Sequence, residues 1–148
     1  MPEPGREHAC PCADRAAISD VLVRFARALD EKDWAGYAAL YAEEGVLSTS
    51  RATHEGRAGL ARFVEDDLGG WSATHHVSAS HDITVDGDRA VARSSLHATH
   101  VRDHPGDFWT VGGWYDVTLR REDGVWLLTS VVINPVWRLD TRTAGAGR

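Results

Sequence analysis

The stretch THHVSASHDITVDGDRAVARSSLHATHVR (residues 74–102) reads as two long strands joined by a tight turn. In its second half Ala90, Ala92, Leu96, Ala98 and His100 share one parity, the two-residue period of a strand with one buried face. Asp86-Gly87-Asp88 supplies the turn chemistry between the halves. The same punctuation recurs at His104-Pro105-Gly106-Asp107 and at Glu122-Asp123-Gly124. Four strands are therefore predicted, at about Thr74–Val85, Arg89–Arg102, Phe108–Arg121 and Val125–Arg138, and their short connections make them an antiparallel meander. Segments of a dozen residues exceed the ~5–6 typical of strands, so the sheet is expected to coil strongly or to carry bulges.

Ahead of this stretch the period is helical. From Asp14, an expected N-cap, Ile18, Val21, Leu22, Phe25, Ala28 and Leu29 follow one stripe. Asp33 is placed to cap a second, shorter helix whose Trp34, Tyr37, Leu40 and Tyr41 share a side. A short strand around Val46–Ser50 precedes a third helix carrying Leu60, Phe63, Val64 and Leu68, which Gly69-Gly70 stops. Helices first and a long meander second predict an α+β fold in which three N-terminal helices close the open side of a strongly curved antiparallel sheet. Such a cone has a mouth that can admit a small molecule. The expected organisation is a flexible N-terminal arm (1–13), a single domain (14–140) and a loose C-terminal tail (141–148).

Composition narrows the function. The chain has 148 residues, and 16 Lys+Arg against 22 Asp+Glu give a formal charge of -6, which speaks against nucleic acid or an anionic membrane as partner. No apolar run reaches the ~18 residues of a membrane span. The polar, Pro-rich stretch from Met1 to Cys12 has no apolar signal core, so a cytoplasmic location is expected. Cys10 and Cys12, one residue apart, suit neither an unstrained disulfide nor a zinc site and read as thiols on the arm. Nucleotide-binding and serine-hydrolase motifs are absent.

The unusual feature is histidine: of eight, His75, His76, His81, His97, His100 and His104 lie in or between the first two long strands. Residues one or three apart on a strand face opposite sides, so these imidazoles do not build a one-face metal cluster, and no metal is expected. His81, His97 and His104 read as exposed or hydrogen-bonded sheet and turn residues, and His8 and His54 as arm and loop residues.

The order of elements resembles the nuclear transport factor 2-like superfamily, and within it the SnoaL-like group that includes polyketide cyclases and scytalone dehydratase. The local signs are Leu-Asp-Glu-Lys-Asp-Trp (29–34), Thr-His-His-Val (74–77), Val-Asp-Gly-Asp-Arg-Ala (85–90) and Glu-Asp-Gly-Val-Trp (122–126). The resemblance implies a cone-shaped fold, no cofactor, and an acid–base site of Asp30, His76 and His100. Asp30 would orient His76, the base, while His100 would donate to a leaving oxygen or hold it. Residue patterning supports this in part. Asp30 lies at the edge of the first helix's apolar stripe, roughly 110° from its centre at ~100° per residue. Alternation alone groups His75, not His76, with Val77, Ile83 and Val85, unless a bulge reverses the strand partway. The tyrosines of the dehydratase pattern are missing, with Leu29 just before the aspartate and Thr49 on the first strand.

Candidate substrate contacts are Tyr37, Tyr115, Trp109 and Trp137, with core packing the alternative for Tyr37 and Tyr41. The functional expectation is a cofactor-independent lyase or isomerase acting beside a ketone in a small polyketide-like or aromatic metabolite. The alternative is a non-catalytic small-ligand-binding or dimerisation domain of the same fold. A homodimer is expected because Val125, Leu127, Val131 and Ile133 against Leu128 and Val132 put apolar groups on both faces of the last strand.

Overall fold

The structure, a computed structural model, describes residues 10–144. Helices α1 (Pro11–Asp30) and α2 (Trp34–Ala39) lead into strands β1 (Tyr41–Ser48) and β2 (Thr53–Glu55) and helix α3 (Leu60–Leu68). The long strands β3 (Ala73–Asp86), β4 (Arg89–Val101), β5 (Phe108–Glu122) and β6 (Val125–Asp140) follow, then a single turn, α4 (Thr141–Ala144). The fold is α+β, and β3 to β6 form the expected antiparallel meander. The whole sheet has six strands in the order β2-β1-β6-β5-β4-β3 and is mixed, because β1 lies parallel to β6. No hairpin turn links β1 to β6; the chain between them holds α3 and four strands, so nothing local sets that direction.

Two-residue turns at Gly87-Asp88 and Asp123-Gly124 close two of the hairpins, with Asp86 opposite Arg89 and Glu122 opposite Val125. Asp123 and Gly124 both take positive φ (48° and 79°), the backbone that matches strand twist. Register shifts between Ala79 and Asp82, Gly112 and Gly113, and Thr118 and Leu119 bend the long strands. At Gly113 the strands approach so closely that a Cβ would lie 2.0 Å from the Asn134 carbonyl oxygen. The curled sheet wraps a core in which Ile18, Leu22 and Phe25 of α1 meet Leu96, Val117 and Leu128 from the inner face.

Strand β1 begins at Tyr41, not near Val46, so Tyr41 belongs to it rather than to the second helix, and both ends of the domain differ from expectation. Helix α1 begins at Pro11, whose missing N–H costs nothing in a first turn, so residues 11–13 are helical rather than part of an arm. Asp14 is not the cap; it sits inside the first turn, where it accepts hydrogen bonds from Arg121 Nη1 (2.6 Å) and Trp126 Nε1 (3.2 Å). It thereby ties the helix to the far end of the sheet. At the other end Thr141–Ala144 are helical, and Thr141 and Arg142 hold Asp107. The rest of the expected arm and tail, residues 1–9 with His8 and 145–148, lies outside the described residues. Cys10 and Cys12 are exposed free thiols beside the start of α1. Asp33 does cap α2, accepting from Gly36 N at 2.9 Å. No described helix is long and apolar enough to cross a membrane.

Candidate active site

Asp30 is the last residue of α1, where the aligned backbone dipole disfavours negative charge. Strand β3 supplies the compensation. As the sheet's edge strand it has unpaired N–H groups facing outward, and the His76 N–H reaches Asp30 Oδ2 at 2.9 Å and Oδ1 at 3.0 Å. Thr74 Oγ1 donates to Asp30 Oδ1 at 3.0 Å, and His76 Nδ1 lies 2.7 Å from the same oxygen. The chain turns away after Asp30 through Lys32, whose backbone is left-handed (φ 55°) and whose Nζ bonds the Trp71 carbonyl at 2.8 Å. Helix end and strand start are thus locked together from both sides.

A carboxylate can only accept, so His76 Nδ1 carries a hydrogen, and Nε2 is the acceptor whenever the ring is in its neutral form. The His76 side chain is 6% exposed and borders a cavity of about 550 Å³, whereas Asp30 stands behind it and does not line that cavity. Burial would raise the Asp30 carboxyl, but hydrogen bonds from the His76 side chain and backbone, the His76 charge and the Thr74 hydroxyl hold it below the usual carboxylate range.

His100 lies on the inner face of β4 and is 4% exposed. Its ring stands edge-on to His76, with centroids 5.3 Å apart and planes at 85°. Its Nδ1 meets the Trp109 carbonyl at 3.4 Å, across the strand pair that sets His100 opposite Trp109. A carbonyl accepts, so Nδ1 again carries the hydrogen and Nε2 is an acceptor. Burial first, then the His76 charge, push His100 down to about 4, so it is neutral near pH 7. Of the two roles expected of His100, donating to a leaving oxygen or holding it, this tautomer suits the second, with Nε2 as the acceptor.

The cavity wall is mostly apolar, with Phe25, Leu47, Leu96, Val111 and Ile133 among its residues. Trp109 lines it and stacks on Trp71 (centroids 6.4 Å, planes at 19°), making a flat surface beside His100. Tyr37 lines it as well, yet its hydroxyl is bonded to the Tyr41 hydroxyl at 2.7 Å. Tyr115 lines it too, and among the described residues none hydrogen-bonds its hydroxyl. Trp137 is the exception: it is 45% exposed, lies over Gly112 on the outer face, and meets the exposed His97 at 5.4 Å. The Pro135–Trp137 segment holds one residue more than the Gly112–Gly113 pair opposite it, so Trp137 turns out and Arg138 turns in.

His75 is exposed and His76 faces inward, because the register shift after Ala79, with Ser80 at φ 53°, reverses the alternation of β3. His81 in that bulge is hydrogen-bonded to Ser19 (2.7 Å) and Ser78 (3.0 Å), and His104 to the Gly106 N–H in its turn. His54 Nε2 donates to the Ala58 carbonyl at 2.9 Å. Among the described residues no three His, Cys, Asp or Glu side chains converge to hold a metal ion. The mouth carries charged residues that no sequence pattern singled out: Arg51 paired with Asp67, Arg102 with Asp107 and Asp140, and Arg138 on Ser50 Oγ. They come from separate loops and strands, so no local spacing marks them.

Known structures share this architecture. A candidate scytalone dehydratase from Novosphingobium aromaticivorans superposes with a TM-score of 0.79 at 21% identity, over 87% of this chain and 88% of that one. A candidate aromatic ring hydroxylase from the same organism gives 0.79 at 26% identity, over 87% and 93%. The hexachlorocyclohexane dehydrochlorinase LinA-type3 from Novosphingobium barchaimii gives 0.78 at 17% identity, over 93% of each chain. No curated protein sequence matches this chain. The helix that ends in Asp30, the strand that carries His76 and the strand that carries His100 all fall within residues 11–132, which match the SnoaL-like domain, and the chain belongs to that family.

Proposed function

We propose that the protein is a cytoplasmic, cofactor-independent lyase or isomerase that removes a proton beside the ketone of a small polyketide-like or aromatic metabolite. Dehydration, cyclisation and double-bond migration all begin with that step. The observation that carries the reading is the 2.7 Å contact of His76 Nδ1 with Asp30, which leaves Nε2 of the same ring as an acceptor at an apolar cavity. A neutral imidazole is a competent base near pH 7. The Asp30 carboxylate faces the ring N–H and stays opposite it when the ring takes up a proton. His100 Nε2 accepts from a substrate hydroxyl and orients it, and the Trp71–Trp109 surface suits a flat ring system. The names of two structural neighbours, a scytalone dehydratase and a dehydrochlorinase, also denote eliminations.

The test needs no knowledge of the natural substrate. In D₂O the protein is expected to catalyse deuterium exchange at C2 of 1-tetralone, a bicyclic aryl ketone, followed by mass spectrometry. Binding of 1-tetralone without exchange would instead favour a ligand-binding domain, and the enzyme reading would fall.

We propose further that a second copy of the chain covers the outer face of β6, where Val132, Val136, Trp137 and Leu139 are 36%, 66%, 45% and 44% exposed. Light scattering at micromolar concentration is expected to give twice the chain mass, and Trp137→Ser to shift it toward the single chain. A parent that scatters as a monomer would refute the dimer.

A further inference from the structure

We infer that the Tyr115 hydroxyl is the hydrogen-bond donor that receives the substrate's carbonyl oxygen and holds the enolate oxygen as it forms. The inference rests on the reading of this cavity as a site of proton abstraction beside a ketone.

It begins with the protons the cavity can offer. His76 commits its Nδ1–H to Asp30 and the neutral His100 commits its own to the Trp109 carbonyl, so His100, and His76 in its base form, present Nε2 as an acceptor. Two acceptors can take a proton and orient a hydroxyl, but neither stabilises a developing oxyanion. That task needs a donor in a water-poor place. One hydrogen bond of 2.7 Å joins the Tyr37 and Tyr41 hydroxyls; of the two only Tyr37 lines the cavity, and its oxygen is turned to Tyr41. The arginines that line the cavity are engaged elsewhere: Arg51 pairs with Asp67, Arg102 with Asp107 and Asp140, and Arg138, on Ser50 Oγ, is exposed.

Tyr115 differs from all of these. It sits on the inner face of β5, opposite Ser94 of β4 and Ile133 of β6, with its ring edge-on to Phe25 at 5.2 Å. The residue is only 3% exposed, and no hydrogen bond from another described residue reaches its hydroxyl. Yet among the described residues no buried side-chain oxygen or nitrogen is both sealed and without a partner. The hydroxyl therefore opens onto space, and the space that Tyr115 borders is the cavity shared with His76 and His100. Burial, then the neighbouring Tyr37 and Asp30, keep the phenol well above its ordinary value, so it holds its proton at any working pH. Among the other donors that line the cavity, the Ser50 hydroxyl is exposed and already bonded by Arg138, and the indole N–H groups of Trp71 and Trp109 sit on rings that form the flat wall and are less acidic than a phenol.

The step balances with these groups alone. His76 Nε2 takes the proton from the carbon beside the ketone, and the C–H electron pair becomes the enolate double bond. The carbonyl π pair moves to oxygen, where the Tyr115 O–H holds it by a hydrogen bond without giving up the proton. When the pair returns, a β-hydroxyl leaves with its bonding electrons and takes the proton from His76, releasing water and an enone. If no group leaves, the proton returns to carbon, which is an isomerisation or an exchange.

The experiment uses 1-tetralone labelled with ¹³C at the carbonyl. On binding the parent protein the carbonyl resonance is expected to move downfield, as a hydrogen-bonded ketone does. Tyr115→Phe is expected to abolish that movement and to lower deuterium exchange about 10²-fold, the usual loss for one oxyanion donor. The melting temperature should stay level, since no protein hydrogen bond is lost. Trp109→Phe and Asp30→Asn should both retain the downfield shift. If the shift survives Tyr115→Phe, or disappears with Trp109→Phe instead, Tyr115 is not the donor, while exchange by the parent leaves the ketone reading standing. If the parent neither binds nor exchanges 1-tetralone, both readings fall together.

Discussion

Asp30→Asn is expected to slow proton exchange by about 10²–10⁴-fold per folded molecule, with His76→Ala costing at least as much. The amide cannot stay opposite a protonated imidazole as a carboxylate does, and its NH₂ can turn the ring to the wrong tautomer. Because the two residues act as one unit, the double variant should be little worse than His76→Ala alone. Asp30 has a second role that this experiment must separate. It accepts the Thr74 hydroxyl and the His76 backbone N–H at the C-terminus of α1, so Asp30→Asn should also cost about 1–2 kcal/mol of stability. Turnover and melting temperature are therefore measured on the same preparation, and His76→Gln, which leaves the Asp30–backbone contacts in place, serves as the second variant. If Asp30→Asn and His76→Ala both stay within about threefold of the parent rate, well under ~1.4 kcal/mol, the dyad has no catalytic role.

Stability should fall by about 3 kcal/mol between pH 6.5 and pH 4, with His100 as the principal cause. The unfolded chain protonates this histidine near 6.5, while the folded protein holds it neutral down to about 4. In that window the unfolded state binds more protons, so stability rises with pH and is lost on acidification. His81, lowered by burial, acts in the same direction. Asp30, whose carboxyl is held below its ordinary value, adds a loss only at still lower pH, as it is protonated. His100→Asn can keep the bond to the Trp109 carbonyl but cannot titrate, so it is expected to flatten the slope between pH 6.5 and 4. An unchanged slope in that variant would show that His100 is not held neutral. The same burial has a functional side: two adjacent imidazoles in an apolar cavity do not both carry charge, and His76, backed by Asp30, is the one placed to take the proton.

The four long strands were readable because apolar and polar residues alternate along them and three Gly-containing turns separate them, both strictly local properties. Their observed ends lie within about two residues of those expected. The parallel pairing of β1 with β6 was not readable, since it depends on contacts across most of the chain. The charged mouth around Arg51, Arg102 and Arg138 was hidden for the same reason.

The site separates the two kinds of information most clearly. Helical and strand periods, the turn glycines and the length of the strands determined, by sequence alone, that helices would close a sheet that had to coil strongly or carry bulges. Where those bulges fall was decided only by tertiary structure. At Ala79–Asp82 one reverses β3, so that His76 faces the cavity although alternation from Ile83 had favoured His75. At Pro135–Trp137 another reverses β6, so that Trp137, in step with Ile133 and Pro135, turns outward and Arg138 turns in. The tautomer of His100 belongs to the same class, because the carbonyl that selects it sits on the next strand, opposite by register rather than near in sequence. Alternation carries a side chain's direction only as far as the next bulge, and a bulge is set by how two distant strands share their hydrogen bonds.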